Sequence, residues 1–312
     1  VEGGRLVSNR ELLARDMLSS NNEMTAEDIV RRTGIEDRRW VKKGEDAIGM
    51  SVTASRQLLE QLNLIPDDLD LVICTTTSPT SMTPSMACRI LNGLTGGNPD
   101  AMVQAYDINA ACSGYLYALQ SGYDFLQSAP QGRVLIVTAE VLSPLLDPDD
   151  FDTAIIFGDA CSATVLYGEE HLDQAQARVL RPDLSARSDD DGALCVPLVD
   201  HGYIQMKGRK VFSEAVRSML SSLNRVCTRE GIGVGDLRLV IPHQANGRII
   251  EALQNRINVE VFSNIRHHGN TSSTSIPLCL AEVLKRSDQG DRYGLCAFGG
   301  GFTFGASILE VT

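Results

Sequence analysis

Apolar residues along this chain follow two patterns, one with the period of an α-helix and one forming short continuous runs. Segment 113–126 repeats apolar positions at helical spacing, whereas 103–109 (VQAYDIN) consists of β-prone residues. Apolar runs within 68–73, 134–142 and 236–241 predict buried strands. Strands of this kind that alternate with helices predict an α/β fold with largely buried sheets.

The order of these elements repeats within the chain. DLDLVI at 68–73 is echoed by DLRLVI at 236–241, and each run follows a predicted helix. A further helix, the dipeptide Gln-Gly and another strand come later in both halves. Two stretches of this size with one order of elements predict a duplicated α/β domain. We place the halves at residues 1–170 and 171–312.

Charge and hydropathy narrow the range of functions. The 312 residues include 40 acidic and 28 basic side chains, and the net charge of −12 argues against a nucleic-acid partner because phosphate binding requires a basic surface. The chain has no continuous apolar run of about 18 residues, so we expect no membrane span. We also expect no signal peptide and a cytoplasmic location.

The spacing of cysteine and histidine predicts neither disulfides nor a metal site. The eight cysteines are scattered singly, without CxxC pairs or zinc-ligand spacing, which is typical of reduced thiols in a cytoplasmic protein. His267 and His268 are adjacent, but neighbouring side chains converge poorly on one ion and no third ligand stands out. We therefore expect no metal.

Cys112 lies where the strand at 103–109 gives way to the helix at 113–126. Two interpretations are open at this point. A small cysteine could simply pack beneath a helix. Alternatively, the partial positive charge at a helix N-terminus favours the thiolate and makes the cysteine a nucleophile that forms thioesters.

Two other reactive side-chain types lie at similar junctions. His243, in PHQAN at 242–246, follows the second-half strand, and Asn270 precedes a predicted helix in HHGNTSSTSIPL. Junctions at the carboxyl ends of strands meet in one crevice of an open α/β sheet, so we expect these side chains to converge with Cys112. Alone, His243 could be a core residue and Asn270 a helix cap. The glycine run 299–301 could form a tight turn or let backbone approach a ligand closely.

Seven motifs cover nearly the whole chain. They are RRTGIEDRR at 31–39, DINAACSGYLYAL at 107–119, IIFGDACSATVL at 155–166, MKGRKVF at 206–212, IPHQANGRII at 241–250, HHGNTSSTSIP at 267–277 and AFGGGFTFGA at 297–306. In this order they resemble the β-ketoacyl-acyl carrier protein synthase III family of the thiolase superfamily. The resemblance implies thiolase-like halves in αβαβα layers and a homodimer. It also implies decarboxylative Claisen condensation of an acyl thioester with a malonyl thioester, in fatty acid initiation or a specialised pathway such as polyketide synthesis.

The resemblance also implies roles for individual residues. Cys112 matches the acylated nucleophile, and His243 and Asn270 match the pair that hydrogen-bonds the malonyl thioester carbonyl. The N–H groups of Cys112 and Gly300 match the oxyanion hole. The resemblance places further residues at the substrate site: Arg32, Leu142, Phe157, Gly208, Asn246 and Arg248. The implied substrates are thioesters of coenzyme A or acyl carrier protein, and no other cofactor is expected.

Two neighbouring families fit less well. Elongating synthases carry a second histidine at the position of Asn270. Thiolases carry a second cysteine at the position of Ala297, whereas Cys296 is one residue out of register. The resemblance therefore favours the initiating synthase.

Three departures from the family pattern concern the substrate. Asp28 stands where a tryptophan usually stacks on the adenine of coenzyme A, and Phe151 stands where an arginine usually holds that nucleotide. Losing the ring and adding an acid predict weaker coenzyme A binding and an acyl donor on a carrier protein. Thr83 replaces a bulky residue that limits the acyl pocket, which predicts a longer or functionalised acyl group.

An acidic carrier protein requires a local basic patch on this acidic chain. The candidate docking residues, each of which could also be an ordinary solvated charge, are Arg209, Lys210, Arg217, Arg248 and Arg256. Two other functions stay open: acyl transfer to an alcohol or amine without decarboxylation, and a non-catalytic subunit of a heterodimer. The intact set of Cys112, His243 and Asn270 argues against the second.

Overall fold

The computed structural model describes residues 1–14, 24–197 and 202–312. The helices are α1 (Asn9–Leu13), α2 (Ala26–Thr33), α3 (Ala47–Gln61), α4 (Met86–Thr95), α5 (Gly114–Ser128), α6 (Phe151–Ala154), α7 (Gly208–Arg229), α8 (Gly247–Gln254), α9 (Ile265–His268) and α10 (Ser275–Val283). The strands are β1 (Arg5–Ser8), β2 (Asp37–Trp40), β3 (Leu71–Thr75), β4 (Gln104–Ile108), β5 (Arg133–Glu140), β6 (Ala160–Tyr167), β7 (Ala177–Val179), β8 (Asp183–Ala186), β9 (Leu194–Cys195), β10 (Gln205–Met206), β11 (Leu239–Pro242), β12 (Arg292–Gly299) and β13 (Thr303–Val311).

Two larger sheets share one strand order. In the first, β4-β3-β5-β6, strand β3 runs parallel to both neighbours and β6 is antiparallel to β5. In the second, β11 is parallel to β12, and β13 is antiparallel to β12 and pairs with β7 and β8. A parallel bridge between Val240 and Val261 supplies the counterpart of β4. The predicted duplicated α/β fold is therefore confirmed, while the boundary at residue 170 stays a prediction.

The repeated strands begin later than their apolar runs suggest, and for one reason in both halves. A 3₁₀ turn at 66–68 precedes β3, and its Asp68 carboxylate accepts the Ile65 N–H at 2.8 Å. A 3₁₀ turn at 234–236 precedes β11, and Asp236 accepts the Gly233 N–H at 2.7 Å. A carboxylate that caps the backbone in this way favours a turn over an extended strand.

The apolar residues that each helix buries show where it lies relative to the two sheets. α5 and α10 lie between the two sheets, because residues of both helices share one buried cluster with β3, β5, β11 and β12. α3 and α4 cover the outer face of the first sheet, and α7 and α8 cover that of the second. The N-termini of the two central helices therefore lie near the middle of the molecule, where buried polar groups need partners. Among the described residues, no helix is both long and apolar enough to cross a bilayer.

Candidate active site

A cavity of about 670 Å³ brings together Cys112, His243 and Asn270. Each reaches it from a different connection. Cys112 follows β4, His243 follows β11, and Asn270 lies between α9 and α10. The convergence results from the duplicated fold, because the connections at the ends of β4 and β11 and the start of α10 meet beside the central helices.

Cys112 lies in a 3₁₀ turn at 111–113 directly before α5 and is 8% exposed. Ala111, the preceding residue, has φ of +48°, a sparsely populated conformation that turns the chain sharply into the helix. Gly299 packs against this turn so closely that a Cβ atom there would lie 2.6 Å from the Cys112 nitrogen. Glycine at 299 is therefore a steric requirement of the Cys112 turn.

The resting state of Cys112 is the thiol. Burial raises the pKa of the Cys112 thiol to about 12, and the charge of Glu140 adds to this effect, although a hydrogen bond from Ser272 opposes it. The expectation that the helix N-terminus leaves a thiolate is therefore wrong for the free protein. Loss of water around a buried sulfur outweighs the favourable helix end.

The backbone N–H of Cys112 lies at the cavity beside the sulfur. Among the described residues, neither this N–H nor that of Gly300 has a protein acceptor. Gly300, in the turn between β12 and β13, is not among the residues that line the cavity, but it packs against the backbone of Leu194, which is. An unpaired N–H at a cavity wall is costly unless water or substrate accepts from it.

His243 is held as a neutral imidazole. It is 2% exposed, and burial lowers its pKa to about 3. Its Nδ1 lies 2.7 Å from the Ser275 hydroxyl, which accepts the Gln244 N–H at 3.2 Å. We find no other acceptor for that hydroxyl within the described ranges, so Ser275 donates to Nδ1. The proton of the ring therefore lies on Nε2, which is left free to donate.

Asn270 is oriented by its own backbone neighbours. Its Oδ1 accepts the Ser272 N–H at 2.9 Å, so the Nδ2 amide group is left free as a donor. The Asn270 N–H donates to the Ile156 carbonyl at 2.9 Å, and its carbonyl accepts from Gly158 at 3.0 Å. This clamp fixes the side chain, so the cavity contains two neutral, pre-oriented donors in addition to the thiol.

Three functional candidates escaped the sequence analysis: Glu140, Ser272 and Ser275. Ser272 has φ of +50° and places its hydroxyl 3.5 Å from the Cys112 sulfur. Glu140 ends β5 and is fully buried. The serines belong to the matched motif HHGNTSSTSIP, and a carboxyl group at the end of an apolar strand is a signal that could have identified Glu140.

Five of the predicted substrate residues line the cavity: Arg32, Phe157, Gly208, Asn246 and Arg248. Four others do not. Leu142 and Phe151 are buried in the hydrophobic core, at 2% and 8% exposure. The prediction that these two face substrate is not supported by their packing, because apolar side chains at these positions turn inward.

Asp28 and Thr83 also lie outside the cavity lining. Asp28 forms a capping box with Thr25 at the start of α2 and an ion pair with Arg31. Hydrogen bonds from Thr25 hold the pKa of Asp28 below its ordinary value, so this charge is engaged at the helix end. Thr83 lies exposed on the loop between β3 and α4.

The predicted basic residues divide into two groups. Arg209, Arg248 and Arg256 line the cavity. Lys210 instead pairs with Asp189 and Asp191 at 2.7 and 2.8 Å, and Arg217 pairs with Glu214 at 2.7 Å. The adjacent His267 and His268 bond to Asp37 and Glu2, respectively.

Comparisons with known proteins agree with this geometry. The family description "3-Oxoacyl-[acyl-carrier-protein (ACP)] synthase III" matches residues 106–188, and its C-terminal counterpart matches 227–311. A relative from Aquifex aeolicus, "Beta-ketoacyl-[acyl-carrier-protein] synthase III", is 39% identical over 90% of this chain and 89% of its own.

Solved structures give the same result. The 3-oxoacyl-[acyl-carrier-protein] synthase III from Aquifex aeolicus VF5 superposes with a TM-score of 0.88 at 36% identity, over 99% of this chain and 96% of its own. The priming β-ketosynthase from the R1128 polyketide biosynthetic pathway has a TM-score of 0.87 at 28% identity, over 100% and 93%. The chain therefore belongs to the β-ketoacyl-acyl carrier protein synthase III family and is a condensing enzyme of the thiolase fold.

Proposed function

We propose that Cys112 takes an acyl group from a thioester and that a malonyl thioester then condenses with it after losing CO₂. The observation that carries this proposal is the cavity in which one thiol faces two neutral donors, His243 and Asn270. Release of CO₂ from a malonyl thioester together with a β-ketoacyl product tests it. Acyl transfer to an alcohol or amine without CO₂ release would support the alternative function.

Acylation begins when the Cys112 sulfur attacks the thioester carbon. Negative charge then develops on the carbonyl oxygen. The unpaired N–H groups of Cys112 and Gly300 are the proposed donors to that oxygen, since donors fixed in advance need no reorganisation as charge forms. Attack releases the Cys112 proton to solvent. Collapse of the intermediate breaks the bond to the carrier sulfur, which leaves as a thiolate and takes up one proton from solvent, so that acyl-Cys112 and the free carrier thiol remain.

Decarboxylation requires a different pair of donors. When the malonyl carboxylate leaves as CO₂, the electron pair moves onto the thioester oxygen. His243 Nε2–H and the Asn270 amide are proposed to donate to this oxygen and thus stabilise the enolate. The enolate carbon then attacks acyl-Cys112, which forms the new carbon–carbon bond and releases the Cys112 sulfur.

Ser275 is proposed to position His243 by holding its tautomer. In Ser275→Ala, Nδ1 loses its donor and the ring can place its proton on either nitrogen. We expect the decarboxylation rate to fall about tenfold, in proportion to one lost neutral hydrogen bond of ~1.5 kcal/mol. Rates of CO₂ release from a malonyl thioester check this.

The conservative variant Ser275→Thr keeps the hydroxyl and serves as the matched control for this prediction. It should recover most of the decarboxylation rate. Acylation of Cys112 should change little in either variant, because His243 is not its proposed oxyanion donor. Equal loss of both half-reactions in Ser275→Ala would show a general structural defect instead.

We propose that the substrates are thioesters of acyl carrier protein or coenzyme A and that they enter past the arginines of the cavity. Arg32, Arg209 and Arg248 form no ion pair within the part of the chain that the structure describes. Free guanidinium groups in an otherwise acidic protein suit a phosphopantetheine arm and an acidic carrier. A cytoplasmic location is proposed with this function, consistent with eight unpaired cysteines.

The acyl donor is proposed to be a carrier protein more than coenzyme A. Phe151 occupies the position at which the family usually has an arginine, and its ring is buried. Asp28 occupies the position at which the family usually has an aromatic ring. We expect Cys112 to be acylated roughly tenfold faster from the carrier thioester than from the matched coenzyme A thioester, equivalent to the loss of ~1.4 kcal/mol of nucleotide binding. Quench-flow and intact-mass measurement at equal subsaturating donor concentrations give the two rates, and a strong coenzyme A preference would overturn the proposal.

A homodimer is proposed from the free edge of the first sheet. Strand β4 pairs only with β3 in the described sheet, and Tyr106 on it is 39% exposed. Met82 and Met102, at 90% and 92% exposure, lie in the flanking loops. An uncovered edge beside apolar side chains favours pairing with a second copy. Thr83 is exposed on the same side and could border an acyl pocket only across such an interface. Light scattering that gives one chain per particle would contradict the homodimer.

A further inference from the structure

The turn that leads from Asn270 into α10 carries a hydroxyl on each of four consecutive residues, 272–275. Three of these hydroxyls donate to oxygen or nitrogen acceptors on other elements: Ser273 to Glu140 Oε1 at 2.6 Å, Thr274 to the Ala160 carbonyl at 3.1 Å, and Ser275 to His243 Nδ1 at 2.7 Å. The fourth, on Ser272, donates to the Cys112 sulfur at 3.5 Å, and it forms no other hydrogen bond among the described residues. One hydroxyl of the turn is thus directed at the atom that reacts in the proposed function.

Ser272 occupies this position at a conformational cost. Its φ of +50° is sparsely populated for residues with a side chain, and the residue is 2% exposed. Its N–H donates to Asn270 Oδ1 at 2.9 Å, so Ser272 orients one donor of the cavity with its backbone and reaches the sulfur with its side chain. Such conformations persist only where the surrounding structure determines them, and they cluster at functional sites.

Glu140 fixes this turn to the first half of the chain. The carboxylate ends β5 and accepts, besides the Ser273 hydroxyl, the N–H and the hydroxyl of Thr77 at 3.0 and 2.8 Å. Cys112 directly precedes α5, which packs on β5. Since the turn and the nucleophile are both anchored to β5, the distance between the Ser272 hydroxyl and the sulfur is set before substrate binds.

We propose that Ser272 is a catalytic residue whose hydroxyl stabilises the negative charge that forms on the Cys112 sulfur in both half-reactions. This inference rests on the proposed function and adds to it a donor for the sulfur. A neutral thiol accepts hydrogen bonds weakly. A hydrogen bond to a charged acceptor is stronger, so the contact gains strength as charge develops, which is the condition for lowering a barrier.

The atoms balance with the Ser272 O–H bond intact throughout. In acylation, the S–H proton of Cys112 passes to solvent, the sulfur bonds to the thioester carbon, and the carrier thiolate leaves and takes one proton from solvent. In condensation, the enolate carbon bonds to the acyl carbon, and the bond from that carbon to the Cys112 sulfur breaks. The electron pair stays on the sulfur, which takes one proton from solvent. The Ser272 hydrogen bond is strongest while the sulfur is charged, during attack and during departure.

Acyl-enzyme formation, measured by quench-flow and intact mass without malonyl thioester, tests this role. Ser272→Ala is expected to acylate about tenfold more slowly, near the low end for a hydrogen bond to a charged acceptor, because the sulfur carries only part of a charge in the transition state. Ser272→Gly removes the same hydroxyl but relieves the backbone, since glycine adopts positive φ freely. Both variants should slow acylation equally, because the hydroxyl and not the backbone conformation causes the effect.

Ser307→Ala is the matched control for the loss of a buried hydroxyl. Ser307 is fully buried, donates to the Leu180 carbonyl at 2.8 Å and does not line the cavity. This variant should acylate Cys112 at the wild-type rate.

The decarboxylation half-reaction supplies a readout that separates a catalytic role of Ser272 from a structural one. Both Ser272 variants keep the backbone N–H that orients Asn270, so CO₂ release from a malonyl thioester should stay near the wild-type rate. Carbon–sulfur cleavage should be slower, so the CO₂ released per β-ketoacyl product should rise above the wild-type ratio when malonyl thioester is added to the preloaded acyl-enzyme. A distorted turn would slow CO₂ release as well.

Alkylation by iodoacetamide tests the contact between Ser272 and the sulfur without any thioester. The rate at Cys112, followed by peptide mapping at constant pH, should fall by roughly threefold to tenfold in both Ser272 variants, because the loss of thiolate is only partly offset by its greater nucleophilicity. This readout distinguishes the two failures. If the wild type formed no acyl adduct, the proposed function would be wrong, whereas the alkylation rates would still decide whether Ser272 stabilises the sulfur.

Two results would overturn the catalytic role of Ser272. One is acylation within about twofold of wild type in both variants, which is less than the smallest effect expected for such a hydrogen bond. The other is an equal loss of acylation and CO₂ release in both variants, which would assign Ser272 to the structure of the turn.

Discussion

Cys112→Ala is expected to form no acyl-enzyme and to lose condensation by at least about 10⁴-fold, because removing a covalent nucleophile removes the reaction path itself. Intact-mass spectrometry after exposure to acyl thioesters should show a single adduct on the wild type and none on the variant. Peptide mapping should assign the adduct to Cys112. The same experiment across chain lengths identifies the acyl group that the enzyme carries.

The variant should keep its second half-reaction. His243, Asn270 and the cavity are intact in Cys112→Ala. CO₂ release from a malonyl thioester should therefore continue, although the variant holds no acyl group for the enolate to attack. Cys88→Ala, which removes an exposed thiol away from the cavity, is the control and should acylate and condense normally. An adduct that persists in Cys112→Ala, or unchanged condensation, would refute the proposed mechanism.

Asn270→Asp is expected to slow decarboxylation and to leave acylation of Cys112 nearly unchanged, which is the reverse of the effect of Cys112→Ala. The aspartate keeps the size of the side chain and can still accept the Ser272 N–H. Its other oxygen would present negative charge where the enolate oxygen forms. Loss of one such donor costs about 10²–10³-fold, and the repulsion should place decarboxylation at or beyond the upper end of that range.

His243→Ala should give a loss of ~10²–10³-fold in decarboxylation for the same reason, because it removes the other donor. Acyl-enzyme formation should stay within a few-fold of wild type in both variants, measured by quench-flow without malonyl thioester. Asn98→Asp, on the exposed surface, controls for the added charge. Loss of acylation equal to the loss of decarboxylation would contradict separate donor sets.

Decarboxylation by the wild type should also show no inflection near the ordinary pKa of histidine. His243 stays neutral down to about pH 3 because ionisation would place an unsolvated charge in the core. The imidazole therefore acts as a fixed donor over the whole working range, which suits an oxygen that gains charge without taking a proton.

Local sequence determined the framework of this protein. Apolar periodicity predicts the central helix α5 and the strands beside it, and the two DLxLVI runs indicate the duplication. The junctions that carry Cys112, His243 and Asn270 were also readable, because strand-to-helix changes are set by residues within a few positions of each other. Their motifs were specific enough to indicate the family.

Tertiary structure determined the protonation states and the hydrogen-bond partners of those side chains. Cys112 is a thiol and not a thiolate, because distant segments cover it and remove water, an effect that no pattern around residue 112 encodes. The donor that sets the His243 tautomer, Ser275, lies 32 residues away in sequence. Ser272 contacts the Cys112 sulfur, and the neighbouring Ser273 contacts Glu140, only because the two halves pack together.

The substrate residues show the same division. Arg32 and Phe157 reach the cavity, whereas Phe151 and Leu142 turn into the core and Asp28 caps its own helix. The family resemblance singled out all five positions, although only Arg32 and Phe157 lie within the matched motifs. The direction of a side chain depends instead on which neighbour offers the larger gain in burial or hydrogen bonding. The sequence thus determined which segments build the site, and long-range packing alone decided which side chains face it and in what protonation state.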